Sequence, residues 1–320
     1  MANITDGERK ISICLFYASH LEISNHNLLN IFMTNRIVQL VFLSLLLIAT
    51  VLLNGISVVT ILNCPQLKSK ISYFLILVQS GADLVVAMTA MPIHIWLSAR
   101  HIAGITKCMK YQRLFSSLFD ATVGISFFSL CAMTYDRYMG VLFPFRHRTT
   151  VTKKKLVKFQ FCSVMMTSVM IAINSINSFT MKLYHIFSTA LVLICFSFIA
   201  FAYIKIFFTA RRETLSLQQP VDIVNQESGP VSKRKRRFLR ELKLAKSCFL
   251  VVLAFLLSFA PPIIWVITRS KVKNETVYVI LELWHTKSTL INTSVNSLLF
   301  FWAKPKLRIE AANLFRKLRG

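Results

Sequence analysis

The chain has 320 residues, 55% of them hydrophobic and only 16% charged. A soluble domain carries roughly 25% charged residues, so composition argues against an ordinary soluble protein and for an integral membrane one. The net charge of +25 raises nucleic acid as a partner. However, basic residues on an apolar membrane chain collect in its cytoplasmic loops, and neither an aromatic RNA-binding motif nor zinc-ligand spacing accompanies them. No nucleic acid partner is expected, and no nucleophile–base arrangement points to an enzyme.

Residues 1–36 are polar apart from "ICLFYA" and lack the pattern of a cleavable signal peptide. They read as an extracellular N-terminal segment, with the first apolar span as signal anchor. Seven stretches come near the ~20 apolar residues that cross a bilayer. They are 37–62, 72–97 (interrupted by Asp83), 114–135 (interrupted by Asp120), 158–182, 184–204, 247–268 and 279–302. The seventh is the most polar, with Glu282, His285 and Lys287 near its start.

Lys and Arg set the orientation. With the N-terminus outside, the inner face receives Lys68, Lys70, the basic cluster 146–158, the long loop after the fifth span, and the tail. The predicted architecture is therefore an all-α integral membrane protein. A seven-transmembrane helix bundle covers 37–304, and a cytoplasmic tail covers 305–320. The middle of the long loop, "ETLSLQQPVDIVNQESGP", reads as flexible. Its end, "KRKRRFLRELKLAK", reads as a cytoplasmic extension of the sixth helix. After Pro305, Leu307, Ile309, Leu314 and Leu318 alternate with basic residues, the pattern of an amphipathic helix on the inner leaflet; the alternative is an unstructured basic tail. Asn3 in "NIT" and Asn274 in "NET" are glycosylation acceptors on outer segments.

At the end of the third span stands "TYDRYMG", an acid and a base side by side after an uncharged run. Asp136-Arg137-Tyr138, seven spans and an outer N-terminus resemble the rhodopsin-like (class A) G-protein-coupled receptors, over about residues 35–318. Further matches are Asn54 in the first span, Asp83 in the second, and Ser126 and Leu130 in the third. Tyr203 matches in the fifth, Phe255 and Pro261 in the sixth, and "NTSVNSLLF" with Asn292 and Asn296 in the seventh. Departures are Ser258 and Phe259 for the family's Cys-Trp, and Ser297 and Phe300 for the Pro and Tyr of helix seven. The fourth span lacks the family's Trp and the fifth its Pro.

The resemblance implies a plasma-membrane receptor that converts binding of an extracellular ligand into activation of a heterotrimeric G protein, with arrestin and kinases as further partners. It implies that Asp136, and Glu241 twenty residues before Pro261, hold Arg137 at rest. It also implies that Asp83, Ser126, Asn292 and Asn296 gather around a sodium ion or around waters; no other cofactor is expected. Phe119, Asp120, Phe259, Glu282 and His285 are candidate pocket residues. Amine receptors place an Asp eighteen residues before the Arg, where this chain has Phe119; the opsin lysine position holds Leu290. The short stretch between spans four and five has no cysteine, which leaves Cys14–Cys108 or free thiols. The short loop is also similar to that of melanocortin receptors, which implies a peptide ligand. A chemosensory or light-sensing receptor of the same fold remains an alternative. A transporter is disfavoured by the lack of internal repeats.

Overall fold

The computed structural model describes residues 11–14, 20–23, 26–105, 112–174, 178–218 and 230–319. It begins with strands β1 (Ile11–Cys14) and β2 (His20–Ile23). The helices are α1 (His26–Asn63), α2 (Pro65–Lys68), α3 (Ile71–Met88), α4 (Ala90–Ile102), α5 (Gln112–Leu142) and α6 (Pro144–Thr150). They continue with α7 (Lys153–Asn174), α8 (Ser178–Gln218), α9 (Pro230–Thr268), α10 (Glu275–Trp284), α11 (Lys287–Ala303) and α12 (Pro305–Arg319). Four helices open on a proline: Pro65, Pro144, Pro230 and Pro305. Its fixed φ suits the first helical position, where the missing N–H has no helical partner anyway.

Each predicted span falls on helix. The second is divided at Thr89, three residues before Pro92, whose ring cannot continue the backbone ladder. The seventh is divided at His285 and Thr286. The boundary between the fourth and fifth differs from expectation. α7 ends at Asn174 and α8 starts at Ser178, so 178–182 belong to the fifth helix, whose start Lys182 does not mark. α8 also absorbs the first residues of the loop expected to be flexible, whose remainder, 219–229, lies outside the described residues. The extension of the sixth helix and the terminal helix are present as α9 and α12. By length and composition, three stretches among the described residues suffice to cross a membrane: His26–Asn63, Ile71–Ile102 and Ala190–Arg212. Phe249–Trp265 is apolar but shorter.

A short hairpin precedes the helices. "ISIC" and "HLEI" pair antiparallel in the register Ile11↔Ile23, Ile13↔Leu21. Ile13 and Ile23 are buried with Leu28 and Phe32 of α1 and Val279 and Leu283 of α10. α1 itself begins at His26, earlier than the apolar span at 37.

Contacts divide the chain into two units. The first holds residues 1–55, 82–123 and 254–297; the second holds 56–81, 124–253 and 298–320. Beyond the hairpin cluster, the first unit has a core of Leu43, Val86, Ala87, Met91, Phe119 and Leu290. In it, α9 carries Pro261 and Pro262 in its interior. Pro262 has no N–H for the Ser258 carbonyl one turn back, and that carbonyl instead accepts from Ser288 Oγ at 2.7 Å.

In the second unit Val141 and Ile206 are buried with Tyr138, Tyr203 and Phe238 packed against them. Gly124 allows close approach of α5 and α7: a Cβ there would stand 3.0 Å from Thr167 Cγ2.

Candidate functional site

The residues singled out from the sequence fall into a polar centre in the first unit and an ion-pair site in the second. In the first unit, Asn54 on α1 is fully buried. Its Nδ2 donates to the carbonyls of Thr50 and Thr293, each at 3.0 Å, and its Oδ1 accepts from Ser297 Oγ. Thr50 Oγ1 lies 2.6 Å from Ser294 Oγ. Ser297 stands where the resembled family has proline, and α11 runs unbroken from Lys287 to Ala303. The serine thus keeps the backbone N–H and adds a bond to α1. Sequence comparison registers only the loss of a kink.

Asp83 is 1% exposed and accepts from Asn296 Nδ2 at 3.4 Å. The Oδ1 atoms of Asn292 and Asn296 are buried without a hydrogen-bond partner among the described residues. A carboxylate with buried amide oxygens is a donor set for a hard cation, and an unsatisfied buried oxygen is costly unless something binds it. The residues present therefore fit sodium. Ser126 is buried in the second unit, and its Oγ has no protein partner among the described residues.

In the second unit, Asp136 and Arg137 near the end of α5 are both buried, 1% and 4% exposed. Asp136 Oδ2 accepts from Arg137 Nε at 3.0 Å and from Nη2. Asp136 Oδ1 lies 2.7 Å from His147 Nε2 on α6. A carboxylate only accepts, so Nε2 carries the proton of this bond. His147 was not singled out from the sequence; eleven residues of chain separate it from Asp136, and only the turn between α5 and α6 brings it back. Asp136, Arg137, Phe300, Met133, Val251 and Lys304 are among the residues lining a small cavity of about 20 Å³. Tyr138 packs against Phe143 and Phe201, and Tyr203 against Phe249. The side chain of Glu241 lies outside the described residues, as do Asn3, Cys108 and the side chain of Cys14.

The candidate pocket residues do not all gather. Phe119 is buried with its ring edge-on to His94 at 5.9 Å, and Asp120 is half-buried. Phe259 stacks on Phe255 at 4.4 Å. Glu282 accepts from Trp265 Nε1 at 2.6 Å, and the Trp265 ring faces His285 at 5.9 Å. Asn274 is exposed and caps α10, its Oδ1 accepting from Val277 N at 3.0 Å.

Comparison with known proteins identifies the family of the chain. Residues 53–299 match the family model described as "7 transmembrane receptor (rhodopsin family)". The D(1A) dopamine receptor of Didelphis virginiana is 30% identical over 119 residues, 37% of this chain and 26% of that receptor. The D(1)-like dopamine receptor of Takifugu rubripes is 29% identical over 121 residues, 38% of this chain and 26% of that receptor. The chain thus spans about a quarter of the length of these relatives. The similarity to melanocortin receptors rests on the short loop in the sequence alone. With more than half its length matched, the chain is a multi-pass membrane protein with a seven-transmembrane helical bundle, and it belongs to the rhodopsin family of seven-transmembrane receptors.

Proposed function

We propose that the chain is a plasma-membrane receptor, N-terminus outside, that passes the binding of an extracellular ligand to a heterotrimeric G protein. The observation that carries this reading is the buried Asp136–Arg137 pair beside a cavity lined by Phe300 and Val251. A charge at such depth is expensive and normally paired, so the pair forms a two-state element whose balance a ligand can bias. At rest Asp136, with Glu241 of α9, holds Arg137; activation frees the guanidinium for the G protein. Arrestin and receptor kinases follow as partners of the same inner face. The basic residues of 146–158 and of the α9 start support the N-out orientation. On α6, Phe145 is 85% exposed among Arg146 and His147, an apolar side chain on a basic segment where a protein partner would cover it.

Asp83, Asn292 and Asn296 would hold sodium and favour the resting state. The relatives are named dopamine receptors, but Phe119 replaces the acid that an amine would need, so an amine is not the ligand proposed. The test is nucleotide exchange on a G protein, normalised to surface receptor. Arg137→Ala is expected to abolish it and Glu241→Ala to raise the basal level about fivefold, the equivalent of about 1 kcal/mol. Normal exchange by Arg137→Ala would overturn the reading.

A further inference from the structure

Two basic side chains buried in the first unit, Lys287 and Arg36, form no direct ion pair among the described residues. Lys287 opens α11 and is 4% exposed. Its Nζ meets the Thr286 hydroxyl and Nδ1 of His94 on α4, both at 3.2 Å. An ammonium has three N–H donors, so one remains. Arg36 on α1, 3% exposed, donates through Nη1 to Gln39 Oε1 at 3.0 Å. Its guanidinium lies 5.0 Å from the Phe32 ring centre. The buried Nε of Arg36 has no hydrogen-bond partner among the described residues.

Gln39, which takes the Arg36 N–H, donates Nε2 to the Leu283 carbonyl at 2.7 Å, four residues before Lys287, and so ties Arg36 to the junction of α10 and α11. The carboxylate in range of Lys287 is Glu282, which takes the Trp265 N–H. Among the described residues, neither cation forms an ion pair within 4.0 Å. Two buried cations near each other repel, and intramembrane charges are ordinarily paired or lead to a functional partner. Leaving a buried cation unpaired is strongly destabilising. The walls nearby are aromatic: Phe119 against His94, and Phe32 against both Arg36 and His101.

We propose that Lys287 and Arg36 receive the carboxylate of a small organic acid whose carbon skeleton packs against Phe119 and Phe32. This names the ligand class of the receptor and rests on that reading. The site suits an anion, because among the described residues Arg36 Nε is left without an acceptor and Lys287 Nζ keeps a third N–H. Its carbon skeleton is met by the rings of Phe119 beside His94 and Phe32 beside Arg36.

The experiment uses the full chain purified in detergent. Its thermal unfolding is followed against potassium phenylacetate, potassium acetate, potassium chloride and 2-phenylethylamine at constant ionic strength. Phenylacetate is expected to raise Tm saturably, by about 2 °C for each tenfold increase above half-saturation. Acetate should act more weakly, and chloride and the amine should have no effect. Lys287→Met and Arg36→Met should lose the response, while Lys306→Met on α12 keeps it. No response of the wild type to either carboxylate overturns the proposal. So does an equal response to chloride, which marks an inorganic anion site, or one to the amine. Because these arms use the wild type, they stand even if Lys287→Met fails to fold. A phenylacetate response that survives both substitutions also overturns it. Arg137→Ala should keep the Tm response while losing nucleotide exchange, so failure of the anion site and failure of the receptor reading are told apart.

Discussion

The hydroxyl of Ser288 on α11 donates to the carbonyl of Ser258 on α9 across 2.7 Å, and that carbonyl is the one Pro262 leaves without its helical donor. The same hydroxyl is 2.9 Å from the His285 carbonyl, so the proton is shared between the broken ladder of α9 and the start of α11. Membrane helices tolerate proline where a neighbour satisfies the freed group. Ser288→Ala is therefore expected to destabilise by about 1–3 kcal/mol, the cost of a buried acceptor left unmade. Ser288→Thr, which keeps the hydroxyl, should stay near wild type. Thermal unfolding of the purified receptor reads both, and equal Tm values for Ala and wild type would show that the bond contributes nothing.

Asp136→Asn removes the charge opposite Arg137 and keeps the shape. A buried guanidinium without its counter-ion costs about 3–5 kcal/mol, and that cost falls on the closed arrangement. Basal nucleotide exchange should rise while Tm falls. A fall in both would mean that Asp136 supports the fold alone and does not restrain Arg137.

The polar centre predicts a sodium response. Replacing sodium by choline in the assay buffer should raise basal exchange of the wild type, and Asp83→Asn should abolish that difference with surface expression preserved. If wild type and variant respond alike, the buried oxygens of Asn292 and Asn296 serve a water network instead.

Two roles of Asn274 can be tested separately, because the cap uses Oδ1 and glycosylation would use Nδ2. Asn274→Asp should shift the protein on a gel through loss of the glycan with little change in Tm. Asn274→Ala should show the same gel shift and lose about 1 kcal/mol as the cap disappears. Identical mobility of wild type and Asp would show that the site carries no glycan.

The helices were legible because uncharged runs and opening prolines are local signals, and Asp136-Arg137 was legible because two adjacent charges after an apolar run stand out in one dimension. The hairpin was not, since four-residue strands carry too little pattern to separate from a polar leader. The end of the fourth helix was misplaced because Lys182, a charge taken as a boundary, sits inside α8. His147 on Asp136, Ser297 on Asn54, and Lys287 beside His94 were out of reach for a common reason. Each is an ordinary residue in its own segment and acquires meaning only from a partner brought to it by a turn or another helix.

The N-terminal hairpin has a consequence for the order of events during synthesis. Ile13 and Ile23 leave the ribosome more than 200 residues before Val279 and Leu283, which belong to the cluster that buries them. Contacts of such sequence separation are slow to close. Until α10 is made, the apolar face of the hairpin must wait, half covered by Leu28 and Phe32 at best. This corner of the receptor can finish only after α10 is made, and a chain arrested before α10 would display two isoleucines to whatever chaperone meets it.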